Sequence, residues 1–396
     1  MIGYLLKSRR LAKGMDQQTL CRGVCSVSYL SKIENGRADA GEDVLRLLFG
    51  RLGIEDWSRR PRDGAAADAL NDYFERTLLG EDTDAAAKRV RALLPGLEAT
   101  ELELDGRLFA VYDKKDEAES RARLAALAPF REDMTPRQRM LEAHAAWVMG
   151  VDTDGAGLRE AEKISPCWLT ALDLAGRDIE RGAWQESLRW ARTAFDRSSA
   201  AGCVHGMREA SMAEGTCYAN LYNIPLMRSA YARTAALSRD RADVLGDIAY
   251  NTGATLLEVG DDRAALPYLL ESYRAREAGE ASQMRLLTCH KLALCFQRLH
   301  RREEGEPYLR EAEEMCGAMP DEGWALMIAL ARRRYSPGYL DDPAYGDMLR
   351  RFCQSGEFPR GYVAFHERML EEWLTHQRRY KEAYELIKSR FPDISE

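Results

Sequence analysis

Short turns between paired helices recur at near-constant spacing through most of this chain, and no other feature restricts its fold so strongly. The turns fall at Gly182, Ile224, Gly260, His300 and Arg378, in steps of 42, 36, 40 and 78 residues, the last being two units of 39. Five residues after each stands Ser187, Ser229, Ala265, Gly305 or Ala383, each small enough to let two helices approach closely. A helix pair repeated at such a period cannot bury its apolar face alone, so neighbouring pairs must stack into one continuous core. The 396-residue length agrees, because it exceeds a single ordinary globular core.

The best single unit, residues 253–269, follows the logic of the tetratricopeptide repeat (TPR). The expectation is an all-α chain whose larger part, 65–396, is a right-handed TPR-like α-solenoid of about eight helix pairs, with the first helix of each pair lining the concave face. The degenerate stretches 97–130 and 166–199 are expected to be helical. Residues 335–360, with Pro337, Pro343 and Pro359, are expected to hold an irregular connection.

The amino-terminal stretch Asp16–Gly36 is of another kind: two short capped helices joined by a tight turn. Asp16 and Ser26 are placed to accept hydrogen bonds from the orphan N–H groups of successive helix starts, and Gly23 lies between them. Leu20, Val24, Leu30 and Ile33 share a core-facing side, which leaves Val27, Ser28, Tyr29 and Lys32 on the outer face of the second helix. An outer face of this kind enters a major groove.

The segment Ser31-Lys32-Ile33-Glu34-Asn35-Gly36 resembles the signature that ends the second helix of the Xre/Cro-type helix-turn-helix. The short turn Gly23-Val24-Cys25-Ser26 resembles that of the RRNPP peptide-pheromone receptors, particularly PlcR-like and Rgg-like members. The resemblance implies a five-helix DNA-binding domain, an internal ion pair between Arg10 and Glu34, and a phosphate contact from Gln17. With Gln18, Ser26 and Arg37 added, these residues make up the candidate DNA-contacting set. The chain departs from the family pattern at Arg9, where an apolar residue is usual. Expected boundaries are a helix-turn-helix domain over 1–57, a linker over 58–64 and, over 65–396, repeats for peptide binding and dimerisation.

Charge divides along the same line. Residues 1–62 hold 12 Lys and Arg against 7 Asp and Glu, a net of +5, so the other 334 must carry −12 to reach the overall −7. The basic end suits a polyanion and the rest does not. The arginines near Pro61 read either as a solvated basic connection or as contacts to DNA phosphates. Nine cysteines, none in CxxC spacing, give no disulfide framework; Cys21 and Cys25 read as small core residues beside the turn. There is no signal peptide and no apolar run of membrane-spanning length, which points to the cytoplasm.

No glycine-rich phosphate loop, HExxH, GxSxG or metal-spaced Cys/His cluster occurs, so neither enzyme chemistry, nor a cofactor, nor a metal is expected. The six histidines are scattered, with His366 and His376 ten apart and unable to share a helical face at i, i+4 spacing. The concave face is read for peptide chemistry instead. An extended peptide buries unpaired N–H and C=O groups, and an amide side chain can serve both. The candidate peptide contacts are Tyr218, Asn220, Tyr222, Tyr250, Asn251, His290, Lys291 and Gln297, with Glu258 on or near the same face. The family resemblance implies inner-helix Asn side chains as backbone clamps, which singles out Asn251 and Asn220. Trp147, Trp168, Trp184, Trp190, Trp324 and Trp373 read as fillers between helices, and Trp57 as packing the reader against the linker.

Together these features imply a quorum-sensing transcriptional regulator, homodimeric on paired half-sites of double-stranded DNA and controlled by a short signalling peptide. Peptide binding would change superhelix curvature and thereby the spacing of two reading heads. Two alternatives remain open from sequence: repeats that dock a protein partner, and an adaptor whose helix-turn-helix does not bind DNA.

Overall fold

The computed structural model describes residues 2–55, 57, 64–113, 116–238, 241–276, 282–318, 322–356, 358 and 360–390, and among these the regular structure is helical throughout. The chain divides into two compact units, Met1–Leu174 and Ala175–Glu396. The expected linker 58–64 lies outside the described residues apart from Gly64.

The first unit begins with α1 (Ile2–Ala12), α2 (Gln17–Cys21), α3 (Val27–Glu34) and α4 (Glu42–Arg51). Four helices thus precede residue 57, and a fifth, α5 (Ala65–Leu79), starts only past the expected linker. Then come α6 (Asp84–Leu93), α7 (Glu103–Tyr112), α8 (Glu117–Ala125), α9 (Pro136–Val148) and α10 (Ala156–Ile164). Leu5, Leu6, Leu20, Leu30, Leu45, Leu48 and Phe49 fill the reader, and the same apolar core continues through Trp57 to Tyr73, Phe74, Leu104 and Phe109.

Trp57 does more than was expected of it. Its ring stacks on Phe49 with centroids 4.9 Å apart, and its indole N–H donates to the Ala99 carbonyl at 2.7 Å. Arg9, the departure from the family pattern, is ion-paired with Glu98 at 2.7 Å and Glu103 at 3.4 Å. Arg9 thus ties α1 to acidic residues around the start of α7. The reader is therefore docked within the first unit by stacking and charge.

From α11 (Trp168–Glu180) the chain runs in pairs: α12 (Trp184–Ala200), α13 (Val204–Asn220), α14 (Ile224–Ala236), α15 (Ala242–Glu258), α16 (Asp262–Arg274), α17 (Gln283–Arg298) and α18 (Arg302–Ala318). The set closes with α19 (Glu322–Arg334), α20 (Pro343–Gln354), α21 (Arg360–His376) and α22 (Tyr380–Arg390). The expected irregular connection is interrupted by a regular helix, since Pro343 starts α20, where its missing N–H costs nothing, and Pro359 lies outside the described residues.

The turns share one stereochemistry. Gly182, Tyr222, Gly260, His300 and Arg378 all have left-handed φ, between 54° and 87°. At each, the following N–H bonds back to the carbonyl five residues earlier, as in Ala183 to Asp178 (2.8 Å), Asn223 to Tyr218 (2.9 Å) and Arg301 to Phe296 (2.8 Å). This 6→1 bond is the Schellman stop, and it satisfies a carbonyl that the helix leaves orphaned. It also corrects the register, because the third turn residue is Tyr222 and not Ile224. The steps become 40, 38 and 40, and Gly338, also left-handed, divides the last 78 into 38 and 40.

The shift moves one contact. Ser187, Ala265, Gly305 and Ala383 are buried as expected, but Ser229 is exposed, and Met227 fills the equivalent place. Gly305 is the tightest of the set. A Cβ there would meet the Tyr335 hydroxyl oxygen at 2.1 Å and Phe296 Cβ at 2.7 Å, while Tyr335 is anchored by its bond to the Ala293 carbonyl. Gly317, on the same helix, has nothing within 4 Å of that position among the described residues. Gly305→Ala should therefore cost roughly 1–3 kcal/mol by overpacking, whereas Gly317→Ala should be neutral or gain up to about 1 kcal/mol of helix propensity. Denaturant melts should show a lowered midpoint for Gly305→Ala and an unchanged or raised one for Gly317→Ala.

Candidate nucleic-acid interface and ligand cavity

The reading face is built on an internal clamp. Arg10 Nε and Nη2 donate to Glu34 Oε1 and Oε2 at 2.6 and 2.9 Å, and Arg10 Nη1 donates to the Met15 carbonyl at 2.8 Å. Both side chains are almost wholly buried, and the bond to Glu34 raises the Arg10 pKa. The pair implied by the resemblance is thus present in bidentate form, joining α1 to the end of α3.

Gln17 does something else than was expected. Its amide Nε2 donates to Glu34 Oε2 at 2.8 Å, so one of its two N–H groups joins the clamp. Ser26 likewise spends its hydroxyl locally, accepting from the Tyr29 N–H at 3.1 Å as the cap of α3, just as Asp16 accepts from the Thr19 N–H at 2.6 Å. Tyr29 is half-buried, with its hydroxyl on the Asp39 carbonyl at 3.1 Å. Gln18, Val27, Ser28, Lys32 and Arg37 are exposed, and Val27, Ser28 and Lys32 lie along α3. Replacing Glu34 by Gln would leave the Arg10 charge buried without its partner, so Glu34→Gln should lose on the order of 3 kcal/mol, read as a drop in the midpoint of thermal unfolding.

In the second unit, a cavity of about 190 Å³ opens between inner helices, lined by Ile179, Trp184, Thr216, Ala219, Asn220, Tyr231, Tyr250, Asn251, Ala254, Thr255, Glu258, Lys291, Gly361 and Tyr362. It brings together Asn220, Tyr250, Asn251 and Lys291 of the candidate peptide contacts. The other four lie elsewhere. Tyr218 accepts from Arg192 Nη2 at 2.6 Å, Tyr222 sits in its left-handed turn, and Gln297 accepts from Arg334 Nε at 3.4 Å. His290 is fully buried against His366, the two rings stacked at 5.9 Å.

Sequence reasoning missed Tyr231, Thr216, Gly361 and Tyr362, and read Trp184 only as a filler. Tyr231 could have been reached from the periodicity of α14; Gly361 and Tyr362 could not, since they lie more than a hundred residues from Asn251. Asn220 holds its amide by donating to the Thr216 carbonyl at 2.8 Å, which leaves its oxygen as an acceptor toward the cavity. Asn251 and Thr216 flank the Tyr231 hydroxyl, whose pKa burial pushes up.

One end of the cavity is charged. Lys291 Nζ lies 3.4 Å from Glu258 Oε1 and 3.2 Å from the centroid of the Phe365 ring. Burial pulls the lysine down to about 8, against the pull of Glu258, and raises the Glu258 carboxyl. Such an arrangement offers an ammonium, a carboxylate, two amides and several hydroxyls to a bound polar chain. Among the described residues no group of three or more His, Cys, Asp or Glu is placed to hold a metal ion, and no helix is long and apolar enough to cross a membrane.

With this geometry in place, comparison with known proteins separates the two parts. Residues 6–55 match the family described as Helix-turn-helix. The amino terminus is a helix-turn-helix domain. A 66-residue stretch is 41% identical to the transcriptional activator NprA of Geobacillus stearothermophilus, covering 17% of this chain and 16% of that protein, so the match spans about a sixth of the relative's length. Across most of the chain the fold is that of a Rap protein solved with competence and sporulation factor: TM-score 0.64, 13% identity, covering 83% of this chain and 99% of that one. It is also that of the quorum sensor NprR of B. thuringiensis in its apo form, with TM-score 0.59, 13% identity, and coverage of 82% and 97%. NprR solved with its cognate peptide NprX gives TM-score 0.59 at 15% identity, covering 82% of this chain and 99% of that one. The resemblance read from the sequence thus holds for the helix-turn-helix and for the helical-repeat fold.

The buried histidines fix a pH response. His366 donates from Nδ1 to the Tyr362 carbonyl at 2.9 Å, and burial, with Lys291 and Arg334 adding to it, pulls its pKa down to about 3; His290 is lowered as well, again mainly by burial. An unfolded imidazole titrates near 6.5, so between about 6.5 and 3 the unfolded chain binds more protons and stability falls as pH drops. Melting temperatures taken from pH 7 to pH 5 should decline in the parent, and decline less in His290→Phe.

Proposed function

We propose that this chain is a cytoplasmic transcriptional regulator that binds double-stranded DNA through α3 and a short signalling peptide through its repeats, and that it catalyses no reaction. The observation that carries the reading is the coexistence of two unlike sites in one chain. A clamped helix-turn-helix presents Val27, Ser28 and Lys32 outward, while an amide-rich, part-charged cavity lies among the helix pairs of the second unit. A solved relative of the same fold, NprR, is described with its cognate peptide, and another, Rap, with competence and sporulation factor. These parallels support a peptide as the ligand.

In this reading Ser28, Val27 and Lys32 meet base edges, with Gln18 and Arg37 on the flanking backbone. Gln17 keeps one amide N–H on Glu34 and offers the other to a phosphate, and Tyr29 and Ser26 shape the helix start. Asn220 and Asn251 clamp the peptide backbone, and Tyr250 and Lys291 line its path. The functional form is a homodimer, because two heads on paired half-sites bind with the product of two modest affinities. The boundaries 1–57, 58–64 and 65–396 describe the functional division. Docking of the reader on α7 has a mechanical consequence: a head held by Arg9 and Trp57 moves with the helices it packs on, so a change among those helices is transmitted to DNA spacing.

Gel-shift titration against the DNA upstream of the chain's own gene tests the reading. Ser28→Ala should lose roughly 1–3 kcal/mol of specific binding and almost none on random DNA. Equal loss on both, or no salt-dependent binding by the parent, would favour the adaptor alternative.

A further inference from the structure

The groups expected to meet a peptide are already engaged by the chain itself. Helix α21 lies against the inner helices: the Tyr362 and Tyr250 hydroxyls meet, Phe365 receives the Lys291 ammonium, His366 stacks on His290, and Arg368 Nη1 donates to the Glu258 carbonyl at 2.7 Å. The Arg368 guanidinium also covers the Tyr222 ring at 4.5 Å. The approach at the head of α21 is close. A Cβ on Gly361 would fall 2.8 Å from Asn220 Oδ1, and one on Gly182 would fall 3.1 Å from Arg360 Cγ.

Size argues the same way. An extended peptide of about five to ten residues spans roughly 17–33 Å, and pockets for small ligands usually hold about 300–1,000 Å³. The cavity beside Asn251 has about 190 Å³. A second cavity of about 420 Å³ lies on the other side of Glu258, lined among others by Gln297, Arg298, Arg334, Phe365 and Arg368. Glu258 lines both: its carboxylate faces Lys291, and its backbone carbonyl accepts from Arg368. The larger cavity also reconciles Gln297 with the peptide-contact set, since Gln297 lines it.

We propose that α21 is an intramolecular clasp: its segment Tyr362–Arg368 occupies the peptide groove, and a peptide enters by displacing Arg368 from Glu258 and joining the two cavities into one. The inference rests on the reading of this groove as a peptide site. Clasp and peptide compete for Tyr250, Glu258 and Lys291, so the strength of the clasp sets the threshold concentration of the signal. In linkage language, apparent affinity is the intrinsic affinity reduced by the fraction of molecules with the clasp open.

Arg368 is half-buried and does not line the smaller cavity, so Arg368→Ala weakens the clasp without altering the amide cluster. Two measurements on the full-length chain test it: amide hydrogen exchange along α21, and capture of a degenerate heptapeptide library quantified by mass spectrometry. Loss of a charge-assisted hydrogen bond should speed exchange in α21 about tenfold and raise capture by a similar factor. Phe365→Leu, which keeps apolar volume but removes the ring under Lys291, should act in the same direction, and thermal melts verify that both variants fold. Unchanged exchange in both variants overturns the clasp. Faster exchange with capture equal to the parent's overturns the gating. Faster exchange with no capture by any of the proteins upholds the clasp and overturns the peptide reading.

Discussion

A helix stop with left-handed φ, repeated at 38 to 40 residues, is the constraint on which the second unit depends. Each Schellman bond ends one helix at a fixed place and aims the next antiparallel to it, so the register of every contact between paired helices follows from where the left-handed residue sits. Gly182 and Gly260 adopt that conformation freely. Tyr222, His300 and Arg378 pay a strain of roughly 1–2 kcal/mol each, and the stacking of buried residues such as Met227, Leu269 and Leu309 offsets it. Tyr222 gains a second use from its position, since its ring lies under Arg368.

Charge is used differently in the two units. In the first, Arg10, Glu34 and Gln17 form a closed set in which each buried polar group has a partner, and this holds the two helices of the reader rigid relative to α1. Arg9 extends the arrangement outward to Glu98 and Glu103, so the reader is held by more than a covalent connection. In the second, the Lys291–Glu258 pair is buried at the edge of a cavity, where both groups are pushed toward neutrality. A pair in that condition is costly to leave without a partner, so a polar chain entering the cavity would have to replace the contacts it displaces.

The neutral imidazoles of His290 and His366 complete the contact between α17 and α21. Among the described residues neither of the His290 ring nitrogens has a hydrogen-bond partner, and His366 Nε2 has none either. Such groups are costly to bury, and they make this contact weaker than its apolar area suggests. Gly361, at the head of the same helix, lacks a side chain and so permits the close approach to Asn220.

How much of this was legible follows from the range of each signal. Capping residues, the Ser31–Gly36 signature, the Arg10–Glu34 pair and the roughly 40-residue period are local or periodic, so the sequence alone determined the helix-turn-helix, the helical-repeat fold and the amide-bearing inner helices. Even the period was read two residues out at Ile224, because three of the five left-handed positions carry no glycine to mark them. Gln17 donates to the same Glu34 oxygen that accepts from Arg10, a fact of packing that no spacing records. The docking of Trp57 on Ala99 and the seating of Tyr362 to Arg368 against residues 222–291 join segments tens to more than a hundred residues apart. Only the tertiary structure could decide those, because the stacking angle of successive helix pairs accumulates over several repeats before two distant faces meet.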